Sequence, residues 1–378
     1  MEESNRRHFF THGPGGSADE AEQRRCHWCH IQRMPLQHSL PITIVNTTTA
    51  NNAGLPADFE FIRGLQLCDG VARAEDSFRS GCECDVDGDG CRFDSCPCLA
   101  EVVDHENSDD ESDGDGKHEA NGHGEVRGVN GHDGHRFDAQ GNNNNGDEKA
   151  ERKRRERAEL YDKTGRKETF AYCSHGEREG LLKSKVLRST RPIYECHSSC
   201  LCSGRCPNRV VERGRTVPLQ IFHTGDRGWG VRSSVPIRRG QFVDCYVGEV
   251  VTGPEADKRR DQAELEGRKD VYLFALDKFH DPASPDERLH VPLEVDGTFR
   301  SGPTRFVNHS CDPNMRIFAR VRDHADKHLH DLALFALRDI PRGEELTFDY
   351  VDGVDRSGGD GTGQPCLCGS RNCRGYLF

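Results

Sequence analysis

Thirteen of the eighteen cysteines fall into three spaced groups, and closely spaced thiols suit metal ligation, because a metal needs several sulfurs converging on one point. The first group is Cys82, Cys84, Cys91, Cys96 and Cys98, and the second is Cys196, Cys200, Cys202 and Cys206. The third is Cys366, Cys368 and Cys373, with Cys311 of an Asn-His-Ser-Cys motif as a fourth member. The first two groups hold nine sulfurs, and two separate tetrahedral sites would use eight and strand one. Three zinc sites need twelve ligand positions, so three of the nine sulfurs would each bridge two metals. Such a cluster sets six positive charges against nine thiolates, which is tolerable if backbone N–H groups and basic side chains point at the sulfurs. A disulfide framework is the competing reading. No secretory signal opens the chain, and a cytosolic or nuclear compartment keeps thiols reduced.

Four motifs between the second and third cysteine groups carry further chemistry. Asp226-Arg227-Gly228-Trp229-Gly230 reads as a tight turn in which glycine lets backbone approach a ligand. Tyr246-Val247-Gly248-Glu249 follows on a strand. The long run from Arg305 to Asn314 contains Asn308, His309 and Cys311, and Glu344 to Tyr350 contains Glu345, Phe348 and Tyr350. Taken singly, each motif is as well explained by turns, core aromatics or a satisfied buried loop. Their order, flanked by metal-type cysteines, argues for one catalytic unit.

The elements that must position these residues are mostly β. From about residue 217, apolar runs recur between turn residues: VPLQIFHT, GVRSSV, QFVDCYVGEVV, DVYLFAL, LALFAL and LTFDYV. Only Gly253 to Lys269 reads as a helix, opening at Pro254. Residues 1–40 read as a disordered arm, 41–216 as a region organised by the first two cysteine groups, 217–352 as the catalytic domain, and 353–378 as a linker with the last cysteines. The net charge of −12 is local: residues 104–148 carry thirteen Asp and Glu against three Lys and Arg. That stretch has almost no apolar residues, so about 103–158 reads as a disordered acidic insert running into a basic run, Arg152 to Arg157. The run is either a nuclear-targeting or nucleic-acid contact or the solvated start of a helix. Cys26-His27-Trp28-Cys29-His30 is a metal half-site without a second half nearby, and Cys68, Cys173 and Cys245 read as buried free thiols. No run of about 18 apolar residues occurs, which excludes a membrane span.

On these residues the chain resembles the SET-domain protein lysine methyltransferases, and among them the heterochromatin-forming histone H3 lysine-9 enzymes of filamentous fungi that direct DNA methylation. The likeness runs from about Pro41 to Phe378, outside the acidic insert, and is strongest over IYECHSSCLCSGRCPNRVVERGRTVPLQIF, KDVYLFALDKF, SGPTRFVNHSCDPN and LTFDY. It implies a mostly β SET fold with a pseudoknot, between a pre-SET three-zinc cluster on nine cysteines and a post-SET zinc site on Cys311, Cys366, Cys368 and Cys373, four zinc ions in all. Cys84 and Cys91 are separated by six residues where the family usually has five, which should only lengthen a loop.

The resemblance also implies S-adenosylmethionine as methyl donor, held by Arg227, Gly228, Trp229, Tyr272, Arg305, Asn308, His309 and Leu367. Tyr246, Phe274, Phe348 and Tyr350 would wall a channel for the lysine, with Tyr350 and Tyr246 orienting the amine. Phe378 stands where close relatives have Trp and is expected on the substrate side. Asp277 is a candidate contact for a basic histone tail, or a solvated loop carboxylate. Arg305 and Glu345 are expected as a buried brace near the pseudoknot. The implied activity is trimethylation of lysine 9 of histone H3 in nucleosomes. The implied setting is nuclear heterochromatin, with the chain a monomer recruited by other chromatin proteins. A methyltransferase of a non-histone protein and a catalytically silent zinc-held scaffold are the rival readings; the second is disfavoured by the presence of Tyr350, Asn308 and His309.

Overall fold

The computed structural model describes residues 27, 31, 40–45, 54–56, 58–84, 91, 96–99, 151, 152, 154–156, 158–161, 164–268, 272–352 and 364–377. Phe378, Lys269, Cys26, Cys29 and most of the acidic insert lie outside the described residues. Among those described, no helix is long and apolar enough to cross a membrane.

Short strands in several small sheets carry the fold. One sheet runs β1 (Ile42–Val45), β5 (Leu219–Gly225), β6 (Gly228–Ser233), β15 (Glu345–Phe348) and β12 (Asn308–His309). A second runs β4 (Ile193–Tyr194), β13 (Met315–Val321), β14 (Asp331–Ala336) and β7 (Phe242–Tyr246). A third runs β3 (Gln66–Leu67), β8 (Glu249–Val251), β10 (Leu293–Asp296) and β9 (Leu273–Leu276). The short pair β2 (Glu60–Phe61) and β11 (Arg300–Ser301) completes them. The apolar run LALFAL becomes β14, buried at every position because it has a strand on each side and core on each face. On β5, Leu219 and Ile221 face inward and alternate with half-buried residues, as a one-sided strand requires.

The expected helix is present over Gly253–Leu265, with Pro254 in its first turn. It is shorter than the span to Lys269, because the chain leaves the helix at Gly267, whose N–H bonds to the Glu264 carbonyl. Glu151, Arg152 and Arg154 to Glu156 are helical, with Arg155 paired to Glu151 and Arg152 to Glu156, so two charges of the basic run meet acids. His27 is buried against Phe59 and Phe61, with its Nε2 2.9 Å from the Phe59 carbonyl. Of the lone thiols, Cys173 is buried as expected, whereas Cys68 and Cys245 are only half-buried.

The cysteines build a core of their own. Cys82, Cys91, Cys96, Cys98, Cys196, Cys200, Cys202 and Cys206 are all buried in one cluster with Leu99, Phe170, Tyr172 and Leu182. Gly81 makes this closure possible, since a Cβ there would lie 2.2 Å from the Ser199 carbonyl oxygen. Glu195, next to the second cysteine group, is buried and accepts from the N–H groups of Val210, Val211 and Glu212 and from the Tyr172 hydroxyl. It also pairs with Arg320 of β13, whose other partners are Glu212 and Asp331. This network fastens the cysteine core to the second sheet.

Candidate active site and metal centres

Two motifs far apart in sequence form the floor of the site by interlocking. β12 lies parallel to β15, with Asn308 opposite Thr347 and His309 opposite Phe348. Asn314 clasps the same strand, donating to the Glu345 carbonyl at 2.8 Å and accepting from the Thr347 N–H at 2.9 Å. The Ser310 N–H bonds to the Phe348 carbonyl, and the Tyr350 N–H donates to His309 Nδ1 at 3.2 Å. This is the expected pseudoknot, and every junction in it is a satisfied hydrogen bond.

A cleft of about 660 Å³ opens over that floor, within the range of small-molecule sites. Arg227, Gly228, Trp229, Tyr246, Tyr272, Phe274, Arg305, Asn308, His309, Phe348, Tyr350 and Leu367 all line it. Twelve residues named from sequence thus converge on one cavity. Gly228, at φ +67°, turns β5 into β6 and brings Arg227 and Trp229 to the rim. The turn is locked from below: Arg227 pairs with Glu345, and Asn308 Nδ2 donates to Glu345 Oε1 at 2.8 Å and to the Trp229 carbonyl at 3.1 Å.

Arg305 and Glu345 do not form one brace. Arg305 is buried, donates from Nε to the Gly297 carbonyl at 3.1 Å and stacks 3.9 Å above the Tyr272 ring, while Glu345 serves Arg227 and Asn308. Asp277 is exposed just past β9 and is not among the residues lining the cleft. Val307, Gln364, Pro365 and Leu377 do line it, and no local pattern in the sequence singles them out.

One end of the cleft is an aromatic cage. The Phe274 ring lies 4.6 Å from Tyr246, 5.6 Å from Phe348 and 6.0 Å from Tyr350, and Phe348 lies 4.8 Å from Tyr350. Its two hydroxyls are held by backbone: Tyr350 donates to the Val307 carbonyl at 2.7 Å, and Tyr246 to the Tyr272 carbonyl at 2.8 Å. Burial pushes the Tyr246 hydroxyl well above its ordinary pKa, so it stays protonated. The cage brings together aromatic faces and two oriented hydroxyls, which suits an amine entering an apolar channel.

The sulfurs pass a geometric test for zinc. A Zn–S bond of about 2.3 Å implies tetrahedral sulfurs about 3.8 Å apart. Cys82 and Cys91 are 3.7 Å apart, Cys82 and Cys196 3.9 Å, Cys98 and Cys200 3.6 Å, Cys196 and Cys206 4.0 Å, and Cys311 and Cys366 3.8 Å. A disulfide would need about 2.05 Å. Four-sulfur groups form at Cys82, Cys91, Cys96 and Cys196; at Cys82, Cys98, Cys196 and Cys200; at Cys91, Cys196, Cys202 and Cys206; and at Cys311, Cys366, Cys368 and Cys373. Cys196 belongs to three of them, where pairwise bridging was expected.

The compensating charges are also in place. The N–H groups of Cys82 and His197 donate to Cys200 Sγ, and Arg209 reaches Cys202 Sγ at 3.3 Å. Burial, and then the neighbouring Cys96, push the Cys84 thiol up to about 12, whereas hydrogen bonds from Cys196 and Cys91 hold Cys206 down at about 3. Sulfurs this close cannot all carry charge without cations among them.

A SET domain model matches residues 228–351, and a Pre-SET motif model matches 35–209. The Histone-lysine N-methyltransferase, H3 lysine-9 specific KMT1, of Fusarium mangiferae is 53% identical, over 100% of this chain and 99% of that protein. The chain belongs to the SET-domain H3 lysine-9 histone methyltransferases. The H3 lysine-9 specific methyltransferase dim-5 of Neurospora crassa is 48% identical, over the whole of both chains. A solved structure described as that of the Neurospora SET domain protein DIM-5, a histone lysine methyltransferase, superposes with a TM-score of 0.62 at 47% identity, over 87% of this methyltransferase and 100% of that chain. Another, described as a structural basis for the product specificity of histone lysine methyltransferases, gives 0.66 at 48%, over 90% and 100%.

Proposed function

We propose that this chain transfers methyl groups from S-adenosylmethionine to lysine 9 of the histone H3 tail on nuclear chromatin, and carries that lysine to the trimethyl stage. The observation that carries this reading is the cage of Tyr246, Phe274, Phe348 and Tyr350 at one end of a cleft lined by Arg227, Trp229, Asn308 and His309. In that cleft S-adenosylmethionine would supply an electrophilic methyl on a sulfonium; the lysine amine takes that methyl in line, and S-adenosylhomocysteine is the leaving group. Positioning then carries most of the rate enhancement. Arg227, Asn308 and His309 would give the donor polar contacts, and Trp229, Tyr272 and Leu367 would give it apolar surface. Tyr350 and Tyr246, their protons committed to the carbonyls of Val307 and Tyr272, direct lone pairs into the channel and orient the amine. The amine loses its proton because an apolar channel beside a cation disfavours the ammonium form.

Four zinc ions complete the proposal. Cys84 packs against the cysteine core, beside Cys96, Cys91 and Cys82. Seating it in the first group in place of Cys196 leaves three tetrahedra. Each then has two unshared sulfurs, and Cys82, Cys91 and Cys196 each bridge one pair of metals. All nine sulfurs are used, as the ligand arithmetic requires. The fourth ion belongs to Cys311, Cys366, Cys368 and Cys373.

The test is a methyl-transfer assay on H3 tail peptides substituted at each lysine, read by mass. Activity should vanish only when lysine 9 is replaced. Tyr350→Phe should lower turnover about a hundredfold while leaving the thermal unfolding midpoint in place. Equal transfer to a peptide lacking lysine 9, or undiminished turnover by the folded variant, refutes the assignment.

A further inference from the structure

Arg374 lies between zinc-type ligand Cys373 and Gly375, in the segment that also brings Leu367 and Leu377 to the cleft. Its guanidinium grips Asp349 as a two-pronged fork, with both N···O distances at 2.6 Å. Its backbone N–H donates to Cys311 Sγ at 3.4 Å. Asp349 immediately precedes Tyr350, is largely buried, and lies 3.5 Å from His309 Nδ1. His309 in turn accepts from the Tyr350 N–H and sits 3.3 Å from Cys311 Sγ. One side chain therefore joins the carboxyl-terminal cysteine segment to the strand end that presents the cage tyrosine.

We infer that Arg374 is a positioning residue: its fork on Asp349 docks the carboxyl-terminal zinc segment as a wall of the donor cleft and so sets affinity for the methyl donor. The inference rests on the methyltransferase reading. The zinc ligands hold the segment together internally, and of its four sulfurs only Cys311 lies on the catalytic domain. A four-sulfur site with a single anchor of this kind leaves the segment free to rotate about Cys311. A bidentate guanidinium–carboxylate pair removes that freedom, because two parallel bonds fix direction as well as distance. Leu367 is itself largely exposed, so its place on the cleft wall depends on how the whole segment is seated.

The experiment uses full-length, zinc-loaded protein. Wild type, Arg374→Gln, Arg374→Lys and the exchanged pair Arg374→Asp with Asp349→Arg are compared by calorimetric titration with S-adenosylhomocysteine, elemental zinc analysis and thermal unfolding. Arg374→Gln should weaken binding about five- to tenfold, as loss of a well-formed, partly exposed ion pair does, with zinc content and unfolding midpoint unchanged. In turnover it should raise KM for the donor more than it lowers kcat. Lys keeps the charge but cannot form the fork and should recover part of the loss; the exchanged pair should recover more than either of its single changes. Unchanged affinity in the folded, zinc-loaded Arg374→Gln variant overturns the inference. So does loss of one zinc along with the affinity, since Arg374 would then hold the metal rather than the segment. Failure of the wild type to bind S-adenosylhomocysteine would instead count against the methyltransferase reading itself.

Discussion

Phe348 stands in the wall of the cage with no hydroxyl to offer, packed between Phe274 and Tyr350 and fully buried. A tyrosine at that place could anchor a water beside the amine and take up the volume a further methyl group needs. Phe348→Tyr should therefore shift product from trimethyl- toward mono- and dimethyl-lysine while keeping substantial first-methyl activity. Mass spectra still dominated by the trimethyl product would show that Phe348 only packs the wall. The protonation of the nucleophile is set at the same scale. A free lysine amine titrates near about 10.4, and the neutral form is the reactive one. Tyr246 is held protonated by burial, so it offers the amine no ionised oxygen over this range. With chemistry limiting, the rate should climb from about pH 7 to about pH 10. A flat profile from stable enzyme would rule out this account of lysine activation.

Among the elements, the turn His324–Leu329 and β14 bury a histidine whose charge the fold opposes. His330 is buried beside the Phe279 ring, with Nδ1 3.1 Å from the Lys327 carbonyl. Burial pushes it down to about 4, against the Lys327 hydrogen bond and the charges of Asp331 and Asp277, while His328 adds to the push. The unfolded chain binds this proton below about pH 6.5, and the folded chain resists until about 4. Stability is thus fully present above about 6.5 and is lost as pH falls through that window, by up to about 3 kcal/mol. His330→Gln keeps a donor for Lys327 and should flatten the change. Urea midpoints measured at several pH values on both proteins test this, because acid release of zinc is common to the two and cancels in their difference. Equal slopes would refute the assignment to His330.

Across the whole molecule, the two kinds of metal centre differ in shelter. Eight of the pre-SET sulfurs are buried, whereas Cys311, Cys366, Cys368 and Cys373 are all half-exposed. Elemental analysis should return four zinc ions per chain. A chelator should remove one of them early, with activity lost at that step and the β fold retained, since the remaining three sit inside a core. Two or fewer ions in fully active protein, or simultaneous release of all of them, would contradict the assignment. The Glu195–Arg320–Asp331 network works at this scale as well, because its buried, paired charges tie the cysteine core to the sheet of β13 and β14. Removing only Arg320 would leave the buried Glu195 carboxylate without this cation, a loss larger than the pair itself contributes.

The chemistry was legible in the chain because chemistry of this kind is written locally. Closely spaced thiols mark metal half-sites, so the cysteine spacings point to the clusters and the count of nine to shared sulfurs, while folding alone brought Cys82 to Cys196 and Cys311 to Cys366. The aromatic and Asn-His motifs stand out for the same reason, and the twelve residues that the family resemblance implied meet in one cleft. The tertiary structure alone decided what depends on distant partners. β13 reads poorly as a strand because arginines interrupt its apolar pattern, and Arg320 is buried only because Glu195, 125 residues away, and Asp331 meet it. Arg305 and Glu345 belong to the two motifs that interlock, yet they brace different walls, since Gly297 and Tyr272 reach one and Arg227 and Asn308 reach the other. Arg374 is one more arginine in a glycine-rich tail until folding sets Asp349 before it. Spacing along a chain records which atoms can share a metal; it does not record which buried charges will find each other, because that pairing is settled by how the sheets pack.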